Sequence, residues 1–62
     1  MSKGTDEYLV EFVQVGASVK VSAIDVVTGR EVSIVGPATS SQHHLSQVAV
    51  RKLKYVLAKE KS

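Results

Sequence analysis

The chain has 62 residues, a net charge of +2 and no cysteine. A chain of this length hides only about 60% of its unfolded surface, so we expect one domain over residues 1–62 and no deep, enclosed active site. The lack of cysteine excludes disulfides and thiolate metal sites. The first eight residues are polar and no long apolar run follows them, which predicts a cytoplasmic protein that does not enter a membrane.

The first predicted elements are two strands joined by a tight turn. Residues 8–15 are rich in β-branched and aromatic types and end at Gly16, a pattern typical of a strand followed by a turn. A two-residue turn with glycine in its first position has the type II′ signature. This turn pairs Val15 with Ser18 and fixes the register of the hairpin.

The second predicted connection is a four-residue loop over residues 26–29, with Gly29 in the left-handed position and Asp25 as a cap. A four-residue loop pairs Asp25 with Arg30 and keeps the apolar residues of the third strand on the same face as those of the first two. A slip of one residue would turn them outward. The predicted inner face consists of Tyr8, Val10, Phe12, Val19, Val21, Ala23, Val32 and Ile34.

Gly36 and Pro37 are expected to end the third strand, because proline cannot donate to a β-ladder. Thr39 to Gln42 fits a capping box at the start of a helix. The helix has an apolar side made of Leu45, Ala49, Leu53, Val56 and Leu57. The sequence therefore predicts an α+β fold, a three-stranded antiparallel β-meander with one C-terminal helix on one face (βββα), with disordered ends at residues 1–6 and 60–62.

The outer face of this sheet keeps apolar residues that the helix does not cover. Exposed apolar residues are common on a face that is simply solvated. The leading alternative, and the function that we expect, is a non-catalytic protein-interaction module that binds an unknown protein partner or forms a homodimer, through this face or an exposed strand edge. The predicted interaction surface consists of Leu9, Val13, Val15, Lys20, Ile24 and Val35.

An alternative function is nucleic-acid binding by the C-terminal helix. Residues 32–62 carry five basic side chains and one acidic side chain. Arg51, Lys52 and Lys54 form a candidate basic patch, although basic residues near a helix C-terminus also complement its dipole. The predicted sheet surface carries Glu11 and Glu31 beside Lys20, which argues against a positive nucleic-acid interface.

No motif in the chain predicts catalysis. His43 and His44 are adjacent and diverge by about 100° on a helix, so they are poorly placed to share a metal ion. The serine and threonine residues near them are explained by helix capping, and the glycines occur singly rather than in a phosphate-binding loop. We therefore expect no enzyme activity, no cofactor and no bound metal.

Three segments carry a resemblance to a known family: Glu7–Phe12, Ala23–Val32 and Ala49–Leu57. Over residues 7 to about 59 the chain resembles a family of small uncharacterised alphaproteobacterial proteins. The resemblance implies a short bacterial protein with strands followed by a helix, and it implies no activity, cofactor or site residue.

Overall fold

The computed structural model describes residues 7–61, which form three strands and one helix. The elements are β1 (Tyr8–Val15), β2 (Ser18–Asp25), β3 (Glu31–Pro37) and α1 (Gln42–Lys61). The strands form one antiparallel sheet in the order β1-β2-β3, and α1 packs on one face of it. The predicted βββα fold class is confirmed.

The hairpin between β1 and β2 has the predicted register. Val15 pairs with Ser18, and Phe12 pairs with Val21. Gly16 has a φ of 61°, in the left-handed region that residues other than glycine rarely adopt. The glycine therefore permits the tight turn that places alternate residues of both strands on the same face.

The connection between β2 and β3 also has the predicted length. The backbone N–H of Asp25 donates to the carbonyl of Arg30 at 2.8 Å, and Val21 pairs with Ile34. Gly29 has a φ of 76°. The four-residue loop thus aligns the apolar residues of β3 with those of β2.

Asp25 caps this loop, as predicted. Its carboxylate accepts hydrogen bonds from the backbone N–H groups of Val27 at 3.4 Å and Thr28 at 3.3 Å, and from the Thr28 hydroxyl at 2.8 Å. Asp25 is only 7% exposed. A buried carboxylate is tolerated here because the loop supplies three donors to it.

The helix begins two residues later than the capping box predicts. The Ser41 hydroxyl, rather than that of Thr39, accepts a hydrogen bond from the backbone N–H of His44 at 3.0 Å. The N–H of Ser40 donates to the carbonyl of Pro37 at 3.0 Å, so Thr39 lies within a turn. The prediction of a cap at Thr39 is wrong because the turn after Pro37 occupies the residues that the box assigns to the first helical turn.

The far end of α1 reaches into residues 60–62, for which disorder stays a prediction. Glu60 lies within the helix and forms an ion pair with Arg30, whose Nε donates to Glu60 Oε1 at 3.1 Å. Both side chains are over 40% exposed, so the pair adds little stability. The predicted disorder at residues 1–6 and 62 lies outside the described residues.

The core lies between α1 and the inner face of the sheet. Its buried members are Val21, Ala23, Leu45, Ala49 and Leu53, and all predicted inner-face residues pack in it or against it. The helix packs mainly over β2 and β3. The inner-face residues of β1, including Phe12, are consequently only partly buried.

Gly36 allows the start of α1 to approach β3 closely. A Cβ atom at this position would lie 2.7 Å from Cδ2 of Leu45, which is buried in the core. We expect Gly36→Ala to lower the free energy of unfolding by about 1 kcal/mol, because the Leu45 side chain must leave its preferred packing. Urea denaturation measures this, and an unchanged or raised stability would contradict the close contact.

Candidate interaction surfaces

The outer face of the sheet is the face opposite α1. The register places Leu9 beside Ile24, and Lys20 between Val13 and Val35. Val15 continues the row of apolar side chains toward the first hairpin turn. The structure thus brings all six residues of the predicted interaction surface to one face.

Polar side chains occupy the middle of the outer face. Ser22 and Ser33 lie side by side, with their hydroxyl oxygens 3.1 Å apart and hydrogen-bonded. Glu11 pairs with Ser22 on the other side. The outer face therefore has two apolar ends separated by a polar row that carries one negative charge.

The apolar side chains of the outer face are well exposed. Their exposed fractions are 59% for Leu9, 55% for Val13, 69% for Val15 and 71% for Val35. These are four of the seven large hydrophobic residues that are exposed among residues 7–61. Antiparallel sheets with one face in water normally carry polar residues there, so this apolar content is unusual for a solvated face.

The three residues of the candidate basic patch do not lie on the same side of α1. Lys52 extends to β3, where its Nζ donates to the backbone carbonyl of Ser33 at 3.0 Å. Arg51 and Lys54 lie on the opposite flank of α1, and Lys54 Nζ lies 5.8 Å from the centre of the Tyr8 ring. The helix divides the basic side chains between its two flanks.

Arg51 and Lys54 line an open groove between α1 and β1, which we call the α1–β1 groove. Its volume is about 400 Å³, and its lining residues are Val10, Ser46, Gln47, Val50, Arg51 and Lys54. Val10 and Val50 are partly buried and form its apolar part, while both basic residues are exposed. The groove exists because the helix covers β2 and β3 more fully than β1.

Sequence reasoning missed this groove. Gln47, Val50, Arg51 and Lys54 recur at intervals of three and four residues, which places them on one flank of a helix. The spacing could have indicated a shared flank. It could not have shown that this flank faces the edge strand, because that depends on how the helix lies across the sheet.

The two histidines lie at the start of α1, and both are exposed. The backbone of each histidine forms a hydrogen bond at the start of the helix. The His43 carbonyl accepts from the Ser46 hydroxyl, and the His44 N–H donates to the Ser41 hydroxyl. Within residues 7–61, no three His, Cys, Asp or Glu side chains lie close enough together to hold a metal ion.

Comparison with known proteins identifies the family. The family model described as Domain of unknown function (DUF6898) matches residues 5–60. The chain therefore belongs to this family, in agreement with its resemblance to uncharacterised proteins. Searches of curated proteins and of solved structures found no match.

Within the part of the chain that the structure describes, no helix is both long and apolar enough to cross a membrane.

Proposed function

We propose that this protein is a non-catalytic interaction module that associates with a second copy of itself through the outer face. The observation that carries the proposal is the exposure of Leu9, Val13, Val15 and Val35 on one side of a sheet whose other side is covered by α1. Burying such side chains against another apolar surface is favourable by about 25 cal/mol for each Å² removed from water.

The charges of the outer face also suit a second copy. Lys20 is exposed between two apolar side chains, and Glu11 and Glu31 are exposed on the same face. When two sheets pack face to face about a two-fold axis, each Lys20 can approach an acidic residue of the other copy. The face therefore carries charges of both signs that a second copy can match.

The size of the face sets the strength of the association. The strands have eight, eight and seven residues, so the sheet spans about 14 by 27 Å, given about 4.8 Å between strands and 3.4 Å per residue. This footprint is about 380 Å² per copy, below the about 600 Å² per partner of the smallest stable interfaces, so we expect a weak, reversible dimer with a dissociation constant on the order of 100 µM.

Replacing Val35 with Lys is expected to abolish the dimer, because the ammonium group would lie next to Lys20 and within one apolar end of the interface. Sedimentation equilibrium over a range of concentrations measures the change. Val27→Lys is the matched control: Val27 is 73% exposed, close to the 71% of Val35, but lies in the second loop. The control should dimerise like the unaltered protein.

Two results would refute this proposal. One is an unaltered protein that stays monomeric at millimolar concentration. The other is a dimer that Val35→Lys and Val27→Lys weaken equally, since equal effects would place the interface elsewhere or reduce it to net charge.

A further inference from the structure

β1 is an edge strand with main-chain groups that lack a partner strand on one side. The two-residue turn closes at Val15 and Ser18, so the main-chain groups of the odd-numbered residues of β1 face β2 in an alternating ladder. The hydrogen bond from the Val26 N–H to the Glu7 carbonyl continues this series. The N–H and C=O groups of Val10 and Phe12 consequently face away from β2.

The opposite edge of the sheet is better protected. Lys52 donates to the Ser33 carbonyl on β3, and Pro37 at the end of that strand has no N–H. A lysine and a proline are common means by which proteins block the addition of a further strand. No comparable contact to Val10 or Phe12 occurs within residues 7–61.

The α1–β1 groove lies directly beside the open edge. A strand added to β1 would point alternate side chains toward the flank of α1 that carries Arg51 and Lys54. Arg51 makes no hydrogen bond or ion pair with any side chain in residues 7–61, and the groove contains no acidic residue. Its chemistry is apolar near Val10 and Val50 and positive along its rim.

We propose that the edge of β1 and the α1–β1 groove bind an extended acidic segment of another protein by strand addition. Main-chain hydrogen bonds to β1 would hold the segment. Every second side chain of the segment would face the helix, and these side chains would be one apolar residue followed by two acidic residues. Alternate residues of a strand are about 6.8 Å apart, which is close to the spacing of about 5–6 Å between helix residues three apart, such as Arg51 and Lys54.

A second copy of the chain fits this site poorly. Pairing two β1 edges about a two-fold axis would place both helices on the same side of the joined sheet, with the basic rims of the two grooves facing each other. A nucleic-acid strand would satisfy the two cations, but a phosphate backbone offers only acceptors. The edge of β1 presents donors and acceptors in alternation, which another peptide strand matches.

The test uses the full chain labelled with ¹⁵N and the peptide acetyl-Thr-Val-Thr-Asp-Thr-Asp-Thr-amide. We expect saturable amide shifts at Val10, Phe12 and Val50. The same peptide with Asn in place of both Asp residues should bind about tenfold more weakly, the factor that two partly exposed ion pairs account for. A peptide that is N-methylated on the amides facing β1 should not bind, because it cannot extend the ladder.

Two double variants test the position of the charges. Arg51→Gln with Lys54→Gln should reduce the affinity for the Asp peptide about tenfold. Lys20→Gln with Lys59→Gln removes the same number of positive charges from residues outside the groove, and should change the affinity by less than about twofold.

Several outcomes would overturn this inference: no saturable shift at millimolar peptide, equal binding of the N-methylated peptide, or equal losses in the two double variants. Shifts of the same amides by a short DNA duplex with similar affinity would also overturn it, in favour of a phosphate site. The test is independent of self-association, because Val35→Lys alters the outer face and should leave peptide binding intact.

Discussion

Replacing Leu53 with Ala is expected to lower the free energy of unfolding by about 3–5 kcal/mol, the largest effect of any single substitution considered for this protein. Leu53 is fully buried and packs between the helix and the sheet, so its loss leaves a cavity as well as removing apolar contact. A chain of this size has a total stability of about 3–9 kcal/mol. The variant should therefore be largely unfolded at moderate urea, as followed by circular dichroism.

Leu9→Ala is the matched control for this prediction. It deletes the same atoms from a leucine that is 59% exposed on the outer face, so we expect a loss below about 1 kcal/mol. Leu53→Met keeps the volume and should cost less than about 1.5 kcal/mol. Equal losses for Leu53→Ala and Leu9→Ala would contradict the assignment of the core to the face covered by α1.

Replacing Asp25 with Ala is expected to lower the free energy of unfolding by about 2–3 kcal/mol. The substitution removes the acceptor for two backbone N–H groups and for the Thr28 hydroxyl, and it frees the loop that sets the register of β3. Hydrogen bonds to a charged group are worth more than those between neutral groups. Urea denaturation gives the loss in stability.

Glu11→Ala is the control for the Asp25 substitution, because it also removes one carboxylate from a strand. Glu11 is exposed, and its side chain makes no hydrogen bond or ion pair with the other residues in the range 7–61. The expected change is within about 0.5 kcal/mol. If Asp25→Ala proved equally harmless, the Asp25 cap would not contribute to the stability of the second hairpin.

The two proposed interaction surfaces can be tested separately by measuring both dimerisation and peptide binding for each set of variants. Val35→Lys changes the outer face, and the Arg51 and Lys54 substitutions change the α1–β1 groove, on opposite sides of the sheet. Each should affect only its own binding measurement. A protein could use both surfaces at once, since a segment added beside β1 would leave the outer face accessible.

Local sequence rules predicted the fold well where few arrangements were possible. The turn at Gly16 and the loop ending at Gly29 each allow one length that keeps the apolar residues together, so the register of both hairpins followed from the alternation of residue types. The helix start was harder to predict. Thr39 and Ser41 can both act as caps, and the choice between them depends on the turn that the chain makes after Pro37.

For the candidate sites too, the sequence predicted one arrangement correctly and another incorrectly. The six residues of the predicted outer surface share a face because of strand alternation alone, which the sequence contains. The basic residues at 51, 52 and 54 were predicted as one patch, but the helix separates them because adjacent positions diverge by about 100° and because Lys52 finds an acceptor on β3.

The amino-acid sequence by itself determined the strands, their register, the apolar side of the helix and the surplus of apolar residues on the outer face, because each depends on the periodicity of residues close in the chain. Only the tertiary structure decided that α1 lies over β2 and β3, that Phe12 stays partly exposed, and that Arg51 and Lys54 flank an open edge strand. Those features depend on where a helix settles on a sheet, which is set by close contacts such as that between Gly36 and Leu45.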